Sequence, residues 1–273
     1  MNTFKFKEKL VSAISQSQKV IGIGQTGDLN PKLVPGFSDI DLFVLCVSIP
    51  TKEERLEIYK MLEGDYSTLT MEVCSGGLWG HGDIFISNDI EVMPMYFLIE
   101  DMEKYIDDTL NGYHIQKAGR FYPTGRLASV DTIHVLYEVG MAWTKLIKKV
   151  KEYPTPLFDK LYEYHISRVL DEEDLGRAVL RKEVLFYHQV LEESIDHLLQ
   201  ALYAVNHKYF PSRKRTQLSI DSMETKPNDC YNRLIKIIEY GAKSETMEES
   251  VGDLNNITAE LKEIVKNHKL KQD

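Results

Sequence analysis

The stretch VIGIGQTGDLNPKLVPGFSDIDLFVL, Val20 to Leu45, constrains the fold more than any other part of the chain. It begins as an apolar strand and breaks at Gly24-Gln25-Thr26-Gly27, a turn that exposes backbone N–H groups and lets a ligand approach closely. A second strand opens with Asp39 and Asp41 and runs on through Leu42-Phe43-Val44-Leu45-Cys46-Val47, a continuous apolar run of the kind buried on both faces of a sheet. Side chains alternate along a strand, so the two carboxylates project from one face, a few ångströms apart. Like charges that close repel, and either a cation lies between them or one pKa rises. Ligands that are all oxygen suit a hard ion such as Mg²⁺, and an ion with open positions attracts a polyphosphate.

The rest of the first half reads as the surroundings of such a sheet. Residues 3–17 form an amphipathic helix with Phe6, Leu10 and Ile14 on one face. Thr51 is an N-cap followed by acidic residues, and its helix runs to about Glu63 with Arg55 and Lys60 solvated. Residues 67–74 read as a strand, and 75–82 as a glycine-rich loop carrying Trp79 and His81, able to close over a ligand or simply to connect strands. A hairpin follows, 83–87 and 90–97, turning at Asn88-Asp89 and placing Glu91 at the start of its second strand. Residues 99–110 have helical spacing.

Beyond the irregular segment 111–126 the sequence reads as helical throughout. Helices are expected at 127–151 and 155–172. A longer one has Leu180, Val184, Tyr187, Leu191, Ile195, Leu198 and Leu202 as a buried stripe. Two more are expected at 229–240 and 257–268, joined by a polar connector over 241–256. The architecture is therefore α+β: a mixed β-sheet domain over 1–112 followed by a helical bundle over 113–273.

An apolar strand, a glycine turn and then Ser38-Asp39-Ile40-Asp41-Leu42 resembles the nucleotidyltransferase superfamily related to DNA polymerase beta. Within it, the pattern is similar to the antibiotic-type enzymes, which modify aminoglycosides or lincosamides, and their uncharacterised relatives. The resemblance covers the first domain well and the helical part loosely. It implies Mg²⁺-dependent transfer, with Mn²⁺ as a substitute, of a nucleoside monophosphate from an NTP, ATP foremost, to a hydroxyl of a small acceptor. By the same resemblance Asp39 and Asp41 are metal ligands, and Glu91 is a third ligand or the general base. Gly27 is the turn glycine, with Asp28 and Ser38 beside it in the nucleotide-binding segment. The stretch from Ala204 to Arg215 resembles the Asn-(Arg/His)-x-Tyr-x-Pro-x-x-Lys region of these relatives, which assigns a triphosphate contact to Lys214, ahead of Lys208 and Arg213. The active cleft is expected between the two domains, where Arg120 and Arg126 are phosphate-contact candidates and Glu138, Glu183 and Glu192 are acceptor-side candidates.

Two departures from the family pattern stand out. Asp28 occupies the position where the family has serine, and Pro31 and Pro35 interrupt the short helix expected after the turn. They keep open a non-catalytic nucleotide-binding or interaction module of the same fold. Adenylylation of a protein side chain is the other alternative.

Composition narrows the partners. A formal charge of −9 argues against a broad nucleic-acid footprint. Cys46, Cys74 and Cys230 lack any paired spacing and read as buried hydrophobes of a reducing compartment. The charged N-terminal segment has no secretory apolar core, so a cytoplasmic monomer or homodimer without a membrane span is expected. The histidines have no zinc-ligand spacing.

Overall fold

The apolar run after Asp41 becomes the second strand of a six-stranded mixed sheet in the computed structural model. The structure describes residues 3–269 except 28–33, 35, 37–38, 63–67, 88 and 120; at 3–5, 79 and 268–269 it describes the backbone alone. The chain forms two compact units, 1–108 with 129–152, and 109–128 with 153–273.

In the first unit, helix α1 (Thr3–Ser15) leads into β1 (Val20–Thr26) and β2 (Asp39–Cys46), which pair antiparallel. Helix α2 (Lys52–Lys60) follows, then β3 (Thr70–Ser75), a 3₁₀ turn over Gly77–Trp79, β4 (His81–Ser87), β5 (Ile90–Leu98) and α3 (Ile99–Leu110). With a sixth strand, β6 (His134–Glu138), from later in the chain, the strand order is β3-β4-β5-β2-β1-β6, with β2 and β5 parallel at the centre. Alternation decides what each face carries. Ile40, Leu42 and Val44 of β2 are fully buried in a core shared with Phe6, Leu10 and Ile14 of α1 and Ile58 and Tyr59 of α2. Asp39, Asp41, Phe43 and Leu45 therefore occupy the opposite face. Toward β1 that face is covered by the buried Trp143, seated against Gly22 and Gly24.

The start of α2 follows the expected capping. Thr51 Oγ1 accepts from Glu54 N, and Glu54 returns a bond to the Thr51 backbone. Arg55 corrects the expectation of a solvated helix face: it is 1% exposed. Its guanidinium donates to Asp83 Oδ2 at 2.8 Å and to the Pro50 carbonyl at 2.7 Å, and Tyr59 OH donates to the same Asp83 oxygen at 2.7 Å. Asp83 on β4 lies 28 residues away, beyond the reach of any local pattern.

The second half departs from the expected helices at several points. Residues 127–151 are not one helix: α4 (Gly125–Asp131) gives way to β6 (His134–Glu138), an edge strand pairing antiparallel with β1, and then to α5 (Ala142–Lys151). Gly140 and Met141 both have positive φ, +61° and +60°, which a helix does not tolerate in succession. Residues 129–152 thus belong with the sheet unit rather than with the bundle in which the 113–273 division puts them.

The second unit contains α6 (Thr155–Ile166), α7 (Glu172–Arg181), α8 (Val184–Val205), α9 (Thr216–Asp221), α10 (Cys230–Gly241) and α11 (Met247–Lys269). The expected 155–172 helix ends early, at Ile166, and Leu180 belongs to α7 rather than to the long helix. Lys182, at φ +56°, separates the two, and Leu180 is 84% exposed while Leu191, Leu198 and Leu202 of α8 are buried. Much of the expected connector over 241–256 is helical as well, because Met247 and Leu254 pack into the α8 core together with Ile257 and Leu261.

Candidate functional site

Asp39 and Asp41 of the Asp-x-Asp pattern lie, with Glu91, at one end of the central strand pair. Asp39 and Glu91 are register partners on parallel β2 and β5, and Asp41 lies two residues on, beside Met93. Residues in register on parallel strands point to the same side, so all three carboxylates share one face. Asp39 and Glu91 are exposed and Asp41 is half-buried. Thr26, the partner of Asp41 on β1, is buried on the same side.

Gly27 closes this end of β1. Its φ is +77°, a conformation that favours glycine, and a Cβ built there would lie 3.6 Å from Asp41 Oδ2. Gly27 therefore lies directly against the Asp41 carboxylate. Gly36 N donates to the Asp89 carbonyl at 2.7 Å, which ties the β1–β2 connection to the β4–β5 turn preceding Glu91. Asp28 and Ser38, the other two candidates on that connection, lie outside the described residues.

The donor set is all oxygen, which fits a hard divalent cation. The side chains stand apart: among the described residues no group of three or more His, Cys, Asp or Glu is close enough to hold a metal ion. Asp39, Asp41 and Glu91 would have to turn toward a common centre to enclose one.

The remaining candidates have other surroundings. Lys214 is exposed in the loop before α9, and its backbone N–H bonds to Ser212 Oγ. Lys208 Nζ donates to Ser222 Oγ. Arg213 is committed within its own unit, donating from Nε to Asp196 Oδ1 at 2.6 Å and pairing with Glu192. Arg126 is buried on α4 with its guanidinium over the Phe121 ring, and Arg120 lies outside the described residues. Glu138 accepts from the Thr144 backbone and hydroxyl, bonds that hold its pKa below the usual carboxylate value. Glu183 occupies the N-cap position of α8 without a capping bond from its side chain.

The polar centre of the helical unit is Asp196, which the sequence reading missed. It is 4% exposed and receives Lys117 Nζ, Tyr122 OH and Arg213 Nε, each at 2.6 Å. Burial alone would raise its pKa, but the bonds from Arg213, Lys117 and Tyr122 outweigh that and hold it low. Next to it His165 of α6 and His197 of α8 meet Nδ1 to Nδ1 at 2.8 Å. Burial, then the neighbouring His197, lowers the His165 pKa to about 3. The available signal was a polar line in an apolar helix: Glu193, Asp196, His197 and Gln200 lie at helical spacing.

Comparison with known proteins adds two likenesses. Residues 121–215 match a family model described as a domain of unknown function, DUF4037. The fold is similar to that of a nucleotidyltransferase-like protein from Exiguobacterium sibiricum 255-15, at 12% sequence identity and a TM-score of 0.46 over 96% of this chain and 74% of that one. No curated protein matches the chain.

Proposed function

We propose that this protein is a divalent-cation-dependent nucleotidyltransferase that moves a nucleoside monophosphate from an NTP, ATP foremost, to a hydroxyl of a small acceptor. The observation that carries the reading is the placement of Asp39, Asp41 and Glu91 on one sheet face at the end where the Gly27 turn closes. Three carboxylates on one exposed strand end gain little as structure, since like charges side by side are unfavourable.

Asp39 and Asp41 would hold the cation, with Glu91 as a third ligand or as the base. When bound, Mg²⁺ supplies Lewis-acid polarisation of the α-phosphate and offsets charge on the leaving pyrophosphate. The acceptor oxygen forms the new bond to the α-phosphorus as the bond to the bridging oxygen breaks, and the hydroxyl proton passes to a carboxylate. The backbone of the Gly27 turn is free of a side chain and can approach the phosphates. The acceptor class includes an antibiotic hydroxyl, and a protein side chain is the alternative acceptor.

A second reading, a nucleotide-binding module without turnover, is favoured by Asp28 at the position beside the turn where an anionic side chain repels a triphosphate. Both readings face one experiment: thermal unfolding with each of four NTPs, with and without Mg²⁺, on wild type and on Asp39→Asn/Asp41→Asn. A ligand at a hundred times its Kd adds about 2.7 kcal/mol. Stabilisation of the wild type alone, and only with Mg²⁺, supports the site; no shift with any nucleotide removes it. Pyrophosphate release then separates transfer from binding.

A further inference from the structure

We infer that the helical unit has a binding site of its own, a cavity between α6 and α8 that takes a small amine. This inference is independent of the transferase reading and concerns different residues. The interior of a helical bundle is expected to be apolar, and α8 obeys this along Leu191, Ile195, Leu198 and Leu202. It breaks the rule along Glu193, Asp196, His197 and Gln200, which line a cavity of about 340 Å³ together with Lys117 and His165. Burying polar groups costs free energy unless each finds a partner, so their hydrogen bonding shows what is still open.

Asp196 is satisfied three times over, and together with Glu192, which pairs with Arg213, it offsets the charges of Lys117 and Arg213. The two histidines satisfy one another through Nδ1, and burial lowers the pKa of both. Two acceptors are left, beside the buried His165 Nε2, whose role as donor or acceptor follows the tautomer of the histidine pair. Gln200 is 4% exposed and its Oε1 has no partner among the described residues. Its Nε2 faces the Asp196 carbonyl at 3.5 Å, so flipping the amide would set oxygen against oxygen; the orientation follows from the network. Glu193, at the exposed side of the cavity, makes no ion pair or hydrogen bond among the described residues.

A buried amide oxygen and a free carboxylate on one helical stripe call for a ligand rich in N–H donors and positively charged. A turn of the Gln200 side chain toward the cavity would bring its oxygen to the donor. The approach has the matching sign. A neighbouring cavity shares His197 and Glu193 as a wall and adds Asp171, Glu172 and Glu173 against the one arginine, Arg168. The cavity's volume selects a compact amine.

The test is saturation-transfer NMR and calorimetric titration of the full chain with n-butylamine and 1,4-diaminobutane, using n-butanol and butyrate as controls of like size. The expected result is binding of the amines alone. Glu193→Gln, a change at an exposed position, should weaken it about tenfold, the worth of one charge-assisted hydrogen bond. Gln200→Leu should weaken it as well, and Asp39→Asn/Asp41→Asn should leave it unchanged. The inference is overturned if no amine binds at about 10 mM, if butyrate binds as well as butylamine, or if both helix variants bind like wild type. Any of those results would make the stripe a closed structural network satisfied by water.

Discussion

Asp39 and Glu91 stand opposite one another in register on parallel β2 and β5, two exposed carboxylates on strands about 4.8 Å apart. Such a pairing costs stability in the absence of a cation. Glu91→Gln in cation-free buffer should therefore leave the protein as stable or raise its stability by about 0.2–1 kcal/mol. The same change should remove stabilisation by Mg²⁺ with NTP. Urea unfolding with and without the ligand pair checks both halves, and a loss of stability in the free protein would contradict the argument.

The Arg55–Asp83 pair predicts the opposite behaviour. Both side chains are essentially without solvent, and Tyr59 and Glu72 complete their bonding. Asp83→Leu alone leaves a buried guanidinium with its main partner gone and should cost about 3–5 kcal/mol. Arg55→Met together with Asp83→Leu should cost less than the two single changes added together, because no charge is then stranded. Denaturant midpoints of the two singles and the double give the coupling directly.

His165 makes stability fall on acidification. Its folded pKa is depressed to about 3 by burial and by His197, against an ordinary value of 6.5. Between those values the unfolded chain binds more protons than the folded one. The contribution is therefore fully present above about pH 6.5 and is lost toward pH 3, by up to about 1.4 kcal/mol per pH unit. Burial also lowers the pKa of His197, which adds in the same direction. Stability measured from pH 7 to 4 should slope less steeply in His165→Gln than in wild type; equal slopes would show that the imidazole titrates freely.

Leu254 and Leu180 test the helix boundaries. Leu254 lies in the segment that reads as a polar connector, yet it is fully buried on α11. Leu254→Ala should cost about 2–5 kcal/mol. Leu180→Ala, on a side chain that is 84% exposed, should change stability by no more than about 0.5 kcal/mol. Chemical denaturation of the two variants side by side reads the difference.

What the sequence determined by itself was local. Helix α3 was legible to its ends from apolar spacing, and the start of α2 from the Thr51 N-cap and the acidic residues after it, because both signals act within a few residues; α2 itself ends at Lys60, short of the expected Glu63. The shared face of Asp39 and Asp41 followed from the two-residue strand repeat, and the placement of Glu91 at the start of a strand followed from a hairpin signal. Tertiary structure decided the rest. Only the parallel β2–β5 register sets Glu91 opposite Asp39, since pairing between distant strands depends on packing of the whole sheet. The strand His134–Glu138 exists because β1 has an open edge, and nothing within its own residues requires that partner. Arg55 is buried because Asp83 awaits it from β4. The polar stripe of α8 becomes a cavity wall only when α6 and the 116–119 segment lie against it, a matter of which helices pack together rather than of any one helix's periodicity.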